Sequence, residues 1–459
     1  MPRCLASIAT AAVVLLCAIV VPCPNAQAQI SYESGDDTVF AHSATLPWWI
    51  SAQGNFIFQW HPRFHAQYSG PNSFDHASEQ AASAIETLYT GLRLGPTTEE
   101  VFDLESAGGS GLSNVAGLAG LPNIDAVRQL DAVPYIARLW LREVIPLSDD
   151  TFEVDRAPLS QLSTLPVRRL DIHVGKFDLV DFFDLNSVAN DSHMQFLNWT
   201  VANNGAFDYA ADVRGYTYGV ILDLEDRFWG LRFGEALLSK RANGLNVQKN
   251  LQDAHSENYE LELRPALKEN RRTTIRLLGF TNFANMGDYH QAIDLFLAGK
   301  TPTPEIDAHP QQVSLKYGFG LNAEQELTDY LRGFMRAGWN EGQHETWNYT
   351  ECDETVALGG DLRGTRWGRP EDKFGVAFVG NGISRDHRRY LASGGLGFDL
   401  GDGRLSYGAE KIMECYYNFP IPLQSGFFGA LDLQYVDNPG YNRDRGPVII
   451  PGIRLHVEL

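Results

Sequence analysis

Arginine and carboxylate side chains recur at every second position along several otherwise apolar stretches of this chain. From Tyr135 to Leu147, Arg138, Trp140 and Arg142 take one parity, and Ala137, Leu139 and Leu141 the other. From Arg169 to Phe177, Arg169, Asp171 and His173 alternate with Leu170, Ile172 and Val174. Arg332 with Arg336, Glu410 with Glu414, Asp432, and Arg454 with Glu458 have similar settings. A guanidinium is a planar fork of donors, a carboxylate is an acceptor, and an indole is a flat apolar face. A sugar presents hydroxyls around its ring edge and C–H groups on its ring face. Mixed-sign groups beside an aromatic surface therefore suit a neutral carbohydrate, whereas a lining of one sign would suit an ion. The candidate solute-binding residues are Arg138, Trp140, Arg142, Arg169, Asp171, Arg332, Arg336, Glu410, Glu414, Asp432 and Arg454, with Phe334 and Tyr416 as further flat faces.

A period of two belongs to a β-strand, whose successive side chains point to opposite faces. The last stretch shows it plainly. Ile453, Leu455, Val457 and Leu459 share one face, Arg454, His456 and Glu458 the other. Strands are also predicted in Pro47–Trp60, with tryptophans at its ends as interfacial anchors, and in Thr87–Leu94, Val313–Phe319, Leu331–Ala337, Leu405–Glu410 and Leu431–Tyr435. Turn signals stand at Asn322–Asp329, Gly401–Gly403 and Asp437–Gly440. Gly108–Gly120 lacks a GK[ST] ending, so it reads as a closely packing small-residue loop and not a phosphate cradle. Helical spacing is weak: about three turns at His290–Lys300 and about two at Ser78–Ile85, both accessory. A soluble sandwich leaves the charged face of each strand in water. A membrane barrel turns the apolar face to lipid and the charged face to a wet lumen. Repetition of one design along so many strands favours the barrel.

The formal charge of −20 argues against a nucleic-acid partner. Residues 1–28 have the short positive start, apolar run and Ala-x-Ala site of a secretory signal peptide. A polar segment, 29–45, follows, and 46–459 forms one unit without a linker. Cys4, Cys17 and Cys23 leave with the signal, and Cys352 and Cys415 make no disulfide framework. No later stretch has 18 unbroken apolar residues, so no transmembrane helix is expected. G-x-S-x-G and H-E-x-x-H motifs are absent, and Ser384 with His387 is the nearest approach to a nucleophile–base pair. Glu410 and Glu414 share one wall and do not flank a substrate as glycosidase acids must. His42, His61, His65 and His76 lack ligand spacing, so neither metal nor cofactor is expected.

Gly175–Asp178 and Asp181–Asn186 resemble the carbohydrate-selective porin family usually called OprB. Gln195–Trp199, Asp208–Asp212, Gly338–Gly342, Trp367–Pro370, Gly401–Leu405, and Asn438–Asn442 through Gly452–Arg454 extend the likeness over most of the chain. The resemblance implies an all-β, transmembrane antiparallel β-barrel of about 16 strands with a water-filled lumen. It also implies passive diffusion of monosaccharides and related small solutes past a narrowed eyelet of Arg and Glu side chains. Outer-membrane chains commonly end in an aromatic residue that the assembly machinery reads; this one departs in ending at Leu459.

The expectation is an outer-membrane porin of a bacterial cell. Its partners are small carbohydrate solutes, outer-membrane lipid and the outer-membrane assembly machinery. The alternatives are a general diffusion porin, a barrel enzyme, and a secreted β-sandwich that binds polysaccharide.

Overall fold

The computed structural model describes residues 38–126, 133–267, 271–308, 312–349 and 351–459. The expected signal peptide and residues 29–37 of the polar segment lie outside the described residues.

The chain forms strands β1 (Trp48–His61), β2 (Glu79–Arg93), β3 (Thr98–Gly109) and β4 (Tyr135–Pro146), then a small hairpin of β5 (Thr151–Glu153) and β6 (Thr164–Pro166). Next come β7 (Arg169–Phe177), β8 (Thr217–Glu225), β9 (Trp229–Ala236), β10 (His255–Leu263), β11 (Thr273–Ala284) and β12 (Ser314–Glu326). The last six are β13 (Leu331–Asn340), β14 (Glu354–Arg363), β15 (Lys373–Gly382), β16 (Glu410–Pro420), β17 (Phe427–Asp437) and β18 (Val448–Glu458). All but β5 and β6 join into one closed antiparallel barrel of sixteen strands. It closes where β18 pairs with β1, with Phe56 opposite Leu455 and Phe58 opposite Ile453. Leu459 N–H donates to the Ala52 carbonyl at 2.8 Å, so the terminal residue is tied in.

The alternation sorts the side chains inside out. In β1, Ile50, Phe56 and Phe58 face outward, while Gln53, Asn55, Gln59 and His61 are buried within. Arg336, Arg454 and Lys316 rank among the largest fully buried side chains, yet Leu431 and Val356 are 56% and 54% exposed. Water would reverse that arrangement, but lipid stabilises it. Closure leaves no unpaired sheet edge in the apolar layer. Trp48 and Trp60 stand exposed at the two ends of β1. Phe319 stacks on Trp339, and Trp367 packs near Tyr417, which adds outward aromatics at both rims.

The start of β1 and the end of β18 share a rim with the short connections 94–97, 226–228 and 327–330. Long connections, among them 62–78, 178–216 and 383–409, occupy the other rim. Short turns mark the periplasmic side of such barrels and long loops the extracellular side. The helix Tyr289–Leu297 overlaps the expected His290–Lys300 stretch, starting one residue earlier and ending three earlier, with the Asp288 carboxylate accepting Gln291 N–H at 2.8 Å. The small-residue loop does pack closely. Gly117 has φ +84°, and a Cβ there would lie 1.7 Å from Phe74 N.

Four local expectations fail. Ser78–Ile85 is not helical, since β2 begins at Glu79 and pairs with β1 throughout, the ladder overriding the helix preference of its alanines. Leu405–Ala409 is a loop, where Leu405 and Tyr407 pack on the buried cluster around Tyr390 and Tyr441. The turn after β12 starts at Leu327, and Asn322 lies inside the strand. Ala137 does not share the outward face of Leu139 and Leu141. The register of β3 with β4 shifts beside it, so Ala137 is buried and Ile136 faces out.

Candidate functional site

Two extracellular loops fold into the barrel and are held there by inward-facing charges. The Glu410 carboxylate on β16 accepts backbone N–H groups from Ala119 (3.2 Å), Gly120 (2.7 Å) and Gly440 (2.8 Å). Two repeats of the pleat further, Glu414 accepts from Leu197 (2.5 Å) and Asn198 (3.1 Å). Gln59 and Gln434 both donate to the Pro122 carbonyl, at 2.8 and 2.7 Å. Asp432 accepts from Gln434 at 3.2 Å. Arg336 lies 2.9 Å from Asp184 Oδ2 and donates to the carbonyls of Ala189 (2.6 Å) and Val201 (2.8 Å). Arg454 donates to those of Ser192 (2.6 Å) and Gln195 (2.9 Å). Backbone that would otherwise carry bare polar groups into the lumen is satisfied one group at a time. Loop aromatics Phe182, Phe183, Trp199, Phe207 and Tyr209 complete an apolar cluster with Phe177, Leu278 and Phe280 on the wall.

The folded-in loops stand in front of β14–β18 and leave a cavity of about 480 Å³ lined by β2–β4, β7–β13 and the loops themselves. Gly215, Phe398 and Asp399 line it among the extracellular loops, and Arg272, Glu326 and Asp155 line it towards the periplasmic rim. Its wall carries a belt of alternating charge. Arg142 lies 2.8 Å from Glu99 and 2.7 Å from Asp171, and Arg169 lies 3.0 Å from Asp171. Arg232 holds Asp223 and Glu260, both at 2.9 Å. Arg264 holds Glu225 and Glu262 at 2.6 Å, and Arg276 holds Glu262 and Glu324 at 2.9 Å. Higher up, Arg138 grips Asp181 through two bonds of 2.7 Å. The pairing cancels the sign of the wall while leaving many oriented dipoles. Trp140, His173, Asp171 and Asp223 border the cavity, but Trp140 Nε1, His173 Nδ1, Asp171 Oδ1 and Asp223 Oδ1 are themselves buried and without a protein partner.

All eleven predicted residues point inward, but they fall into two groups. Arg138, Trp140, Arg142, Arg169, Asp171 and Arg332 line the cavity. Arg336, Glu410, Glu414, Asp432 and Arg454 do not and are buried behind the folded-in loops; all but Asp432, which bonds Gln434 on its own strand, anchor those loops directly. Phe334 and Tyr416 are likewise covered, packed on Phe196 from the loop. Parity identifies the face of a strand, not what lies over that face. The reading missed Glu99, Arg232, Glu262, Arg264 and Arg276, although Glu260, Glu262 and Arg264 alternate with Tyr259, Leu261 and Leu263 in the same pattern.

Ser384 and His387 are not arranged as nucleophile and base. Ser384 Oγ donates to the Gly342 carbonyl at 2.5 Å and caps the helix Arg385–Ala392 by accepting His387 N–H at 3.1 Å. The His387 ring meets Asp353 (3.2 Å) and Glu351 (3.7 Å) instead and stacks on Tyr289. Cys352 and Cys415 are both free. Among the described residues, no cluster of His, Cys, Asp and Glu has the geometry to hold a metal ion.

An inside-out closed barrel with a charged, loop-narrowed lumen defines a channel of the porin class. The sequence profile described as carbohydrate-selective porin, OprB family, matches residues 96–459, and the chain belongs to that family. It is an outer-membrane porin of the carbohydrate-selective kind. The fold is similar to the high-pH structure of Pseudomonas putida OprB, with a TM-score of 0.68 at 14% identity, covering 90% of this chain and 94% of that one. It is also similar to the outer-membrane channel DcaP of Acinetobacter baumannii, with a TM-score of 0.50 at 9% identity, covering 92% and 100%. An uncharacterized protein of Aquifex aeolicus is 35% identical over 95 residues, 20% of this chain and 29% of that protein's length.

Proposed function

We propose that this porin passes monosaccharides and related small neutral solutes down their gradients, along the wall from β3 to β13. The observation that carries the reading is the wall of paired charges along the cavity, in which arginines and carboxylates cancel one another's sign and still present oriented dipoles. A permeating sugar exchanges part of its hydration for these groups. An ion gains less, because each belt arginine is already held by carboxylates. Arg138, Trp140, Arg142, Arg169, Asp171 and Arg332 are the solute contacts, and the five covered residues hold the constriction in shape. Binding stays weak, as flux demands. No covalent step, cofactor, metal or energy input enters. The mature barrel is residues 46–459, exported by the signal in 1–28.

Liposome swelling with the purified protein tests this, using sugars of increasing size and a charged solute as control. Fast entry of monosaccharides, with a sharp loss at larger sizes and poor entry of the charged solute, is the expected result. Equal entry of charged and neutral solutes would make it a general porin. A properly inserted barrel that passes no sugar would overturn the reading.

A further inference from the structure

The periplasmic connection 147–168 stands apart from its neighbours at that rim, which cross in a few residues. It carries the β5–β6 ladder, with Phe152 opposite Leu165, and reverses at a tight tip where Ala157 and Ser160 exchange two backbone bonds of 2.9 Å. The tip is seated with care. The buried Glu99 carboxylate, besides holding Arg142, accepts the backbone N–H groups of Gln161 and Leu162. Gly91 on β2 makes room, since a Cβ there would lie 2.6 Å from Gln161 Nε2. Arg156 reaches across the mouth to the carbonyls of Ser43 (2.6 Å) and Trp48 (3.1 Å) and to Gln161 Oε1 (2.9 Å). Leu162 and Leu165 bury themselves against Val144 of the wall.

The seated tip lies in the solute path. Val154, Asp155, Ala157, Leu159 and Ser160 line the same cavity as Trp140 and Arg142. Leu159 packs against the apolar cluster built by the loops that descend from the opposite rim. We propose that this hairpin is a second filter, in series with the loop-built constriction, and that its tip at Leu159 sets the largest solute that leaves towards the periplasm. The inference rests on the porin reading. A surface turn with no role in permeation would have no need of a buried carboxylate as its seat, nor of an arginine strapped to the N-terminal segment.

The test uses the full-length protein in planar bilayers and in liposomes. One variant deletes 151–166 and closes the gap with Asn-Gly; two others are Leu159→Trp and Leu159→Gly. Potassium chloride conductance and swelling with mono-, di- and trisaccharides are the readouts. Removing one of two comparable resistances in series should raise conductance about twofold and admit the next larger sugar. Leu159→Trp should lower both conductance and monosaccharide entry, and Leu159→Gly should raise them. If the deletion fails to insert, the two Leu159 variants decide. Conductance and size limit unchanged in all inserted variants would overturn the filter while leaving the porin reading intact. A parent that conducts salt but passes no sugar would overturn the porin reading, and the salt conductance of the variants would still judge the hairpin.

Discussion

Replacing Arg336 with Met should release one inward loop without opening the barrel. The guanidinium sits in a fully buried site between β13 and the 178–216 loop, 2.9 Å from Asp184 Oδ2. It also donates to the carbonyls of Ala189, Val201 and Asp184 at 2.6, 2.8 and 3.0 Å. Methionine fills much of the space and supplies no donor. Removing one partner of a buried ion pair costs about 3–5 kcal/mol. Asp184 keeps two other donors, Asn204 N–H and Asn322 Nδ2, both at 2.9 Å, so the low end applies. About 3 kcal/mol corresponds to roughly a hundredfold rise in the opening constant of the loop. Hydrogen exchange followed by mass spectrometry reads it directly. Amides in 184–204 should exchange about a hundred times faster, at one pH and temperature, with those of β1–β3 unchanged. Arg336→Lys keeps the charge but loses the planar fork and should fall between. Unchanged exchange in the loop, or an equal acceleration in every strand, would refute the assignment of Arg336 as a loop anchor.

Trp140→Ala should weaken sugar-dependent block of ion current by about 1 kcal/mol, roughly fivefold, while monosaccharide entry persists; current-noise analysis in bilayers measures it. Gly117→Ala places a side chain at φ +84° against Phe74, so strain of about 1–2 kcal/mol adds to the clash. Exchange in 110–126 should quicken, with a larger and noisier conductance. His387 gives a pH dependence. Burial lowers its pKa, but the adjoining Asp353 and Glu351 carboxylates outweigh that and raise it to about 9 from 6.5. Its contribution to the loop cluster is fully present below pH 6.5 and is lost as pH rises through about 9. Proteolysis of the 383–409 loop should accelerate across that window, and His387→Gln should abolish the step.

The barrel was legible because lipid and water impose opposite demands on alternate residues, and that demand is written locally. Leu139 and Arg138, or Leu455 and Arg454, declare their faces without knowledge of any other segment. The interior was only half legible. Arg142 and Asp171 sit on neighbouring barrel strands, so a shared parity put them on one wall, where they do meet at 2.7 Å. Glu414 meets Leu197 across 217 positions, and nothing in the pattern of β16 announces a loop from so far away. The segments that carried the family likeness, Asp181–Asn186 and Gln195–Trp199, prove to be the stretches docked on those anchors. Family resemblance held information about the lumen that periodicity lacked. The bulge at Ala137 and the ladder partner of Ser78–Ile85 are likewise set by a neighbouring strand.

The spacing of the anchors along the chain also dictates an order of events. Gly120 waits for Glu410, 290 positions later, and the 190s wait for Glu414 and Arg454. Neither loop is fully seated until the last strands are in place, although the 178–216 loop already meets Arg336 of β13, and β18 is the strand that zips to β1. A sheet assembled from its N-terminus is therefore an open, sparsely furnished wall first and a selective channel last. Closure and the final furnishing of the lumen thus fall together, so a chain stalled short of β16 lacks both its seam and the seats that Glu410, Glu414 and Arg454 give the inner loops.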